Sequence, residues 1–309
     1  IVVSASILAV IAVPTFGTIF DLAETDDCAT TINVTGQQWW WEYDYVQGST
    51  CGGVEITKSI VTSGELVIPA HTDVLLRITS RDVIHSYWIP RLNGKRDAVP
   101  GRLHTLRMQA DQAGIYTGQC TEFCGLSHAR MRQAAVALEA ADFQTWVTNQ
   151  TADYVAPEAD TLAATGEATF VAQCSRCHQV NDLLSPDGTP VLAEPDLYVV
   201  SGAAPNLSKL MTRTAFAGWT FDLISAECRD KLWNAPPDEF GALYLQGVTP
   251  ECFDEANLRT WLRNAPAMKP MYADPTKLAS TGGKTRGMPN LNLTEDQIDE
   301  LIAYMLERK

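Results

Sequence analysis

The sequence predicts a mixed fold in three parts: a transmembrane helix at 1–24, an all-β domain at 25–147 and, past a linker at 148–161, an all-α domain at 162–309. Three observations predict it. Ile1 to Phe20 carry no charge, and about twenty such residues span a hydrocarbon layer as a helix. From Thr30 to about Ala140 the chain runs in short segments broken by Gly and Pro, among them I-N-V-T, E-L-V-I-P, D-V-L-L-R-I-T and A-A-V-A-L-E-A. That is the pattern of a β-sandwich or barrel. Near the C-terminus Thr294 and Gln297 make a capping box, and Ile298, Leu301, Ile302 and Met305 share one face of a closing helix.

The apolar run is followed by Asp21, Glu24, Asp26 and Asp27, with no Lys or Arg before Lys58. The positive-inside rule then places the following domain outside the cytoplasm. A cleaved signal competes with this reading, but the run has no basic start and no clear small-residue cleavage pattern. With no initiator Met, the expectation is a sequence that starts after processing or inside a longer chain. The 309 residues leave room for two domains, each with a core of its own. Hydrophobic content of 46% and charged content of 19% describe a globular chain. A formal net charge of -14 argues against nucleic acid as a partner and suits a basic redox protein.

The β region ends in Q-C-T-E-F-C-G-L-S-H-A-R-M, Gln119 to Met131, which sets two thiols, an imidazole and a thioether within one loop. His85, in the strand-like R-D-V-I-H-S-Y-W-I-P, offers a second imidazole from a rigid position. Thiolate, imidazole and a weak axial thioether are the ligands of electron-transfer copper. With Cys120 and Cys124 both present, two sulfurs could bridge two coppers, each capped by a histidine, with Met131 axial to one. A structural zinc held by two Cys and two His stays open on ligand count, as does a small Cys120–Cys124 disulfide.

The stretches D-A-V-P-G-R-L (Asp97 to Leu103) and G-I-Y-T-G-Q-C-T-E-F-C-G-L-S-H-A-R-M (Gly114 to Met131), with the run from Asp82, resemble subunit II of haem-copper cytochrome c oxidases. The resemblance implies a cupredoxin fold. It also implies a binuclear CuA centre held by His85, Cys120, the Glu122 main-chain carbonyl, Cys124, His128 and Met131. The Glu122 side chain would reach a magnesium or manganese ion at the contact with the large catalytic subunit. Upstream, G-Q-Q-W-W-W-E-Y-D-Y (Gly36 to Tyr45) extends the likeness, and Trp39 matches the family's point of electron arrival. Without the family, Trp39 to Trp41 read as an aromatic belt or a core strand. The chain departs from the family in showing one membrane helix where two are usual. We take it as the second, with Pro14 at the A-x-P position. No carboxylate precedes Asp21, so the family's proton-uptake glutamate has no counterpart in this run.

The third part opens with C-S-R-C-H, where Cys174, Cys177 and His178 fit covalent attachment of a c-type haem with the histidine as axial ligand. Zinc binding and thiol redox chemistry are the competing uses. A short helix through G-E-A-T-F-V-A-Q leads into the motif. Met288, in the M-P loop before the closing helix, is the expected sixth ligand, with Met271 and Met268 as rivals. This arrangement, with A-P-N-L at Ala204 to Leu207, resembles class I cytochromes c. The surplus length, about 221–256, is an insertion that would be pinned by a Cys228–Cys252 disulfide, while Cys28 and Cys51 would form a second; both imply an oxidising compartment. His71 and His104 are left as surface or hydrogen-bonded residues.

Together the resemblances imply subunit II of a terminal cytochrome c oxidase with a cytochrome c fused at its C-terminus, anchored in a bacterial plasma membrane with its soluble domains on the extracytoplasmic side. Electrons from a cytochrome c or a quinol-oxidising complex would pass through the haem and the copper pair to subunit I, which reduces oxygen beside other oxidase subunits. Nitrous oxide reductase shares the copper motif but needs a histidine-rich cluster that two spare histidines do not build. A CuA-containing accessory subunit of a nitric oxide reductase and a membrane-anchored electron carrier are the alternatives.

Overall fold

The computed structural model describes residues 1–23, 30–51, 54–181, 183, 204–272 and 286–309. Helix α1 (Val2–Ala23) is long and apolar enough to cross a membrane, and its Val2–Asp21 span is not buried in the chain. Its hydroxyls are satisfied within the helix, Thr15 donating to the Ile11 carbonyl at 2.8 Å and Thr18 to Pro14 at 3.0 Å. Such internal pairing is what an apolar solvent demands.

Twelve strands follow: β1 (Thr30–Gln37), β2 (Trp40–Tyr45), β3 (Thr50–Cys51), β4 (Val54–Glu55), β5 (Ile60–Ser63), β6 (Glu65–Pro69), β7 (Val74–Ser80), β8 (His85–Tyr87), β9 (Arg96–Ala98), β10 (His104–Met108), β11 (Gly114–Gln119) and β12 (Arg132–Leu138). One sheet has the order β10-β7-β1-β2-β5, with β1 and β7 parallel; a second has the order β11-β12-β6, with β12 and β6 parallel. Alternation in β1 buries Ile32 and Val34, and the same face of β2 buries Trp41, Tyr43 and Tyr45. The sheets are joined through Tyr45, whose hydroxyl donates to the Val67 carbonyl and accepts from the Val67 amide, both at 2.8 Å. A buried phenol paired in both directions has its own polar group satisfied. This is the β-rich domain that the alternating segments predicted.

Helix α2 (Ala140–Thr151) corrects the expected linker boundary at 148. Polar T-N-Q-T reads as loop, yet it is the last turn of a helix fastened by Phe143, Trp146 and Val147, all buried. Trp146 lies 5.0 Å from the Tyr45 ring. Between α2 and the next helix, residues 152–161 run without helix or strand.

The remainder is mainly helical: α3 (Leu162–Gln173), a small hairpin of β13 (Ala215–Phe216) and β14 (Phe221–Asp222), then α4 (Ala226–Trp233), α5 (Pro237–Tyr244), α6 (Glu255–Met268) and α7 (Glu295–Leu306). The capping box at Thr294 and Gln297 starts α7, and its buried face contains Ile298, Leu301, Ile302 and Met305, joined by Tyr304. Helices α3 and α7 cross at Gly166, where a Cβ would run into the Glu300 carbonyl, and Phe170 meets Tyr304 at 5.4 Å. Cys228 and Cys252 form a disulfide with a Cα separation of 5.7 Å, closing the segment that carries α4 and α5.

Buried polar ties hold the β domain to the helical part. Glu65 of β6, 1% exposed, accepts from the Thr214 amide (2.8 Å), the Thr214 hydroxyl, the Trp219 indole (3.1 Å) and the Tyr244 hydroxyl (2.9 Å). Arg213 beside it donates to Ser63 Oγ at 2.9 Å and to the Asn206 carbonyl at 2.7 Å. A buried carboxylate is tolerable only when its lone pairs are used this fully.

Candidate redox centres

Strand β8 and the connection from β11 to β12 position the first cluster. The connection closes on itself: the Cys120 amide donates to the Met131 carbonyl at 2.9 Å, pairing the backbone of its first and last sulfur-bearing residues. The Thr121 amide bonds the Ser86 carbonyl at 3.0 Å, tying the loop to the strand that carries His85. Gly125 turns the loop at a φ of 107°, and a Cβ there would press on the Gln38 amide and the Trp39 ring. Glycine meets both demands.

The donor atoms converge. Cys120 Sγ lies 3.9 Å from Cys124 Sγ, 3.9 Å from His85 Nδ1 and 3.3 Å from the Glu122 carbonyl oxygen. Cys124 Sγ lies 3.5 Å from His128 Nδ1 and 3.9 Å from Met131 Sδ. His85 and Met131 are 0% exposed, Cys120 2% and Cys124 3%. The two sulfurs stand apart as free thiols, so they do not form the small disulfide. Two thiols, two imidazoles, a thioether and a carbonyl exceed what a closed tetrahedral zinc uses and suit softer copper. Hydrogen bonding from Cys124 draws the Cys120 thiol down to about 4, and the same contact, with burial, pushes Cys124 up. One thiolate is therefore ready at neutral pH, as a metal ligand must be.

Around the donors, His85 Nε2 bonds Asp82 Oδ1 at 2.9 Å, which leaves Nδ1 to face the sulfurs. Burial pushes the Asp82 carboxyl up, but hydrogen bonds from His85, Gln38 and Val83 outweigh it and hold the group below its ordinary value. Gln38 Nε2 and Trp39 Nε1 both donate to the Cys124 carbonyl, at 2.7 and 3.0 Å. Trp39 is 2% exposed, so it belongs to the interior and not to an exposed aromatic belt. The Glu122 side chain and Phe123 face outward beside the cluster.

The second cluster borders a cavity of about 260 Å³ between the β domain and the helices, lined by Cys174, Cys177, His178, Met271 and Met288 together with Trp39 and Trp40. Helix α3 ends at Cys174, and the amides of Cys177 and His178 bond back to the Cys174 carbonyl at 3.0 and 2.9 Å. His178 Nδ1 lies 2.8 Å from the Pro205 carbonyl. A carbonyl only accepts, so Nδ1 carries the proton and Nε2 keeps its lone pair for a ligand. Burial lowers the His178 pKa, favouring that neutral ring. Burial also pushes Cys174 up to about 12 and raises Cys177. That is the reverse of the lowered thiol that disulfide exchange requires. Two thiols, an available imidazole nitrogen and a thioether around a largely apolar cavity fit a covalently attached haem. Of the three expected candidates, Met288 and Met271 are on this lining and Met268 is not; Met305 of α7 lines it too.

His71 sits at the surface, 3.6 Å from Glu139, and His104 Nδ1 lies 2.7 Å from the Asp97 carbonyl; neither joins a cluster. Cys28 and the Cys51 side chain lie outside the described residues. Sequence reasoning missed Asp82, Gln38, Lys269 and Arg286. Asp82, three residues before His85, was open to notice as a carboxylate near a ligand, whereas Arg286 and Lys269 arrive from more than 130 positions beyond the loop.

A β-rich domain with a paired-thiol pocket that could hold a metal ion, beside a helix long and apolar enough to cross a membrane, is what the fold and the site define. Residues 30–138 match the family described as cytochrome c oxidase subunit II, periplasmic domain. Cytochrome c oxidase subunit 2 of Alkalihalophilus pseudofirmus is 33% identical over 208 residues, covering 65% of this chain and 57% of that protein. The same subunit from Bacillus sp. strain PS3 is 29% identical over 317 residues, covering 98% and 71%. The crystallised periplasmic domain of subunit II of cytochrome oxidase from Bradyrhizobium japonicum is 32% identical, covering 41% of this chain and 95% of that one, with a TM-score of 0.34. The chain thus spans less than two thirds of the Alkalihalophilus protein. These relatives bear the name of a subunit of an oxidase.

Proposed function

We propose that the chain is the electron-transfer subunit II of a terminal haem-copper cytochrome c oxidase. It would pass electrons from an external donor, a cytochrome c or a quinol-oxidising complex, through a covalent haem c and a CuA copper pair to the oxygen-reducing subunit I. The observation that carries this reading is the convergence of His85, Cys120, Cys124, His128 and Met131, with the Glu122 carbonyl, at sulfur contacts of 3.3 to 3.9 Å. These residues would hold the copper pair; Cys174, Cys177, His178 and Met288 would hold the haem. Both groups supply storage for one electron at a time with little change of geometry.

The chain's own residues do the rest. Burial of His85, Cys120, Cys124 and Met131 would keep water off the copper pair, and the His85–Asp82 and His178–Pro205 bonds hold each imidazole in the ligating tautomer. Trp39 spans the gap, lining the haem-side cavity while its indole bonds the Cys124 carbonyl. It is the residue at which electrons would reach the copper loop. The outward Glu122 side chain is the proposed ligand of a magnesium or manganese ion shared with subunit I. Helix α1 would anchor the subunit in the bacterial plasma membrane, with 25–147 and 162–309 on the extracytoplasmic side and the 221–256 segment an insertion in the second.

The test is quantification on protein purified from its membrane. Two coppers and one covalent haem per chain, with a large haem-bearing subunit and oxygen uptake in the same preparation, is the expected result. Zinc in place of copper, or no haem resistant to acid-acetone extraction, would contradict it.

A further inference from the structure

One carboxylate is shared between the copper cluster and the helical part of the chain. Asp82, whose side chain is 5% exposed, turns Oδ1 to His85 Nε2 at 2.9 Å and to the Val83 amide at 2.7 Å. Its Oδ2 accepts from the Gln38 amide at 2.8 Å and from Arg286 Nε at 3.1 Å. Arg286 lies 204 positions away in sequence. It pairs with Tyr272 in an isolated β-bridge, and the Tyr272 ring rests 5.3 Å from that of Trp39. Two residues further on stands Met288, on the lining of the second cavity. The short segment that borders one centre therefore reaches into the hydrogen bonds of the other.

We propose that Arg286 is a positioning residue for the copper site: through the carboxylate of Asp82 it orients the His85 imidazole and sets how tightly the copper pair holds its electron. A carboxylate that accepts from Nε2 makes Nδ1 a stronger donor and favours oxidised copper. A guanidinium on the other oxygen draws part of that charge away and favours reduced copper. The helical part thus tunes the β domain's metal by docking on it, and the tuning is lost where the tie is cut. This rests on the copper reading above.

The experiment uses the full chain with its copper and haem contents measured first, then spectroelectrochemical titration of each centre and the copper absorption spectrum. Absence of copper from the unaltered protein would refute the proposed function and leave nothing to tune. With copper at the unaltered level, Arg286→Gln is expected to weaken copper reduction, and Asp82→Asn to strengthen it. Each shifts the one-electron equilibrium by about threefold to tenfold, with a displaced copper band. Arg286→Lys, keeping the charge, restores most of the change. If Asp82→Asn fails to hold copper, Asp82→Glu replaces it and is expected to retain the potential while displacing the band. A copper potential and spectrum unchanged in Arg286→Gln, even with slower transfer between the centres, would overturn the proposal and reduce the tie to a docking contact.

Discussion

Lys269 is 3% exposed and its ammonium donates to two carbonyls, Trp39 at 2.8 Å and Ala217 at 2.7 Å, so one side chain pins Trp39 to the helical part. Burial lowers its pKa to about 7, assisted by the positive charge of Arg130. The unfolded chain keeps this proton up to about 10.4. Between those values the unfolded state binds more protons, and stability rises with pH; below about 7 the whole cost of burying the charge stands. The cost is at most roughly 4–5 kcal/mol. Calorimetric unfolding from pH 7 to 10 should show the parent protein gaining a few kcal/mol on Lys269→Met. Parallel curves for the two proteins would show that the lysine is not strained by its burial.

At the scale of elements, the crossing of α3 and α7 forms one wall of the second cavity and depends on Gly166. A methyl group there would meet the Glu300 backbone, which cannot swing aside as a side chain would. Gly166→Ala is expected to cost about 1–3 kcal/mol through forced separation of the helices. It should also lower the yield of covalent haem, measured as haem absorbance per chain. Full haem incorporation with an unchanged melting temperature would contradict this packing account. Elements written in local pattern were legible: α1 from its uncharged run, α7 from its capping box and apolar face, and the Cys120 to Met131 loop from donor spacing. Helix α2 was not, because its last turn is polar and only contact of Phe143, Trp146 and Val147 with the sheet makes it a helix. Asp82 with Arg286 was equally unreadable, since no periodicity links positions 204 apart.

For the whole molecule, the determining feature is that the two parts share buried charge. Glu65 sits in E-L-V-I-P, where alternation alone gives a glutamate to solvent; instead it accepts four hydrogen bonds from the hairpin region and α5. Tyr244, one of its donors, explains what the 221–256 segment does for the fold: it braces the helices against β6. Glu65→Ala would leave Thr214, Trp219 and Tyr244 without their acceptor and should cost about 3–5 kcal/mol. The parent should melt in one transition, and the variant in two as the parts uncouple. A single transition at the parent temperature would argue against the brace.

The central claim is that two thiolates, two imidazoles and a thioether hold a pair of coppers as one electron store. Electron paramagnetic resonance of the oxidised, copper-loaded protein tests it most directly. An electron shared equally by two copper nuclei splits into more hyperfine lines than a single nucleus can produce, and that richer pattern is the predicted result. A single-copper pattern, or a silent site with zinc bound in full occupancy, would contradict it.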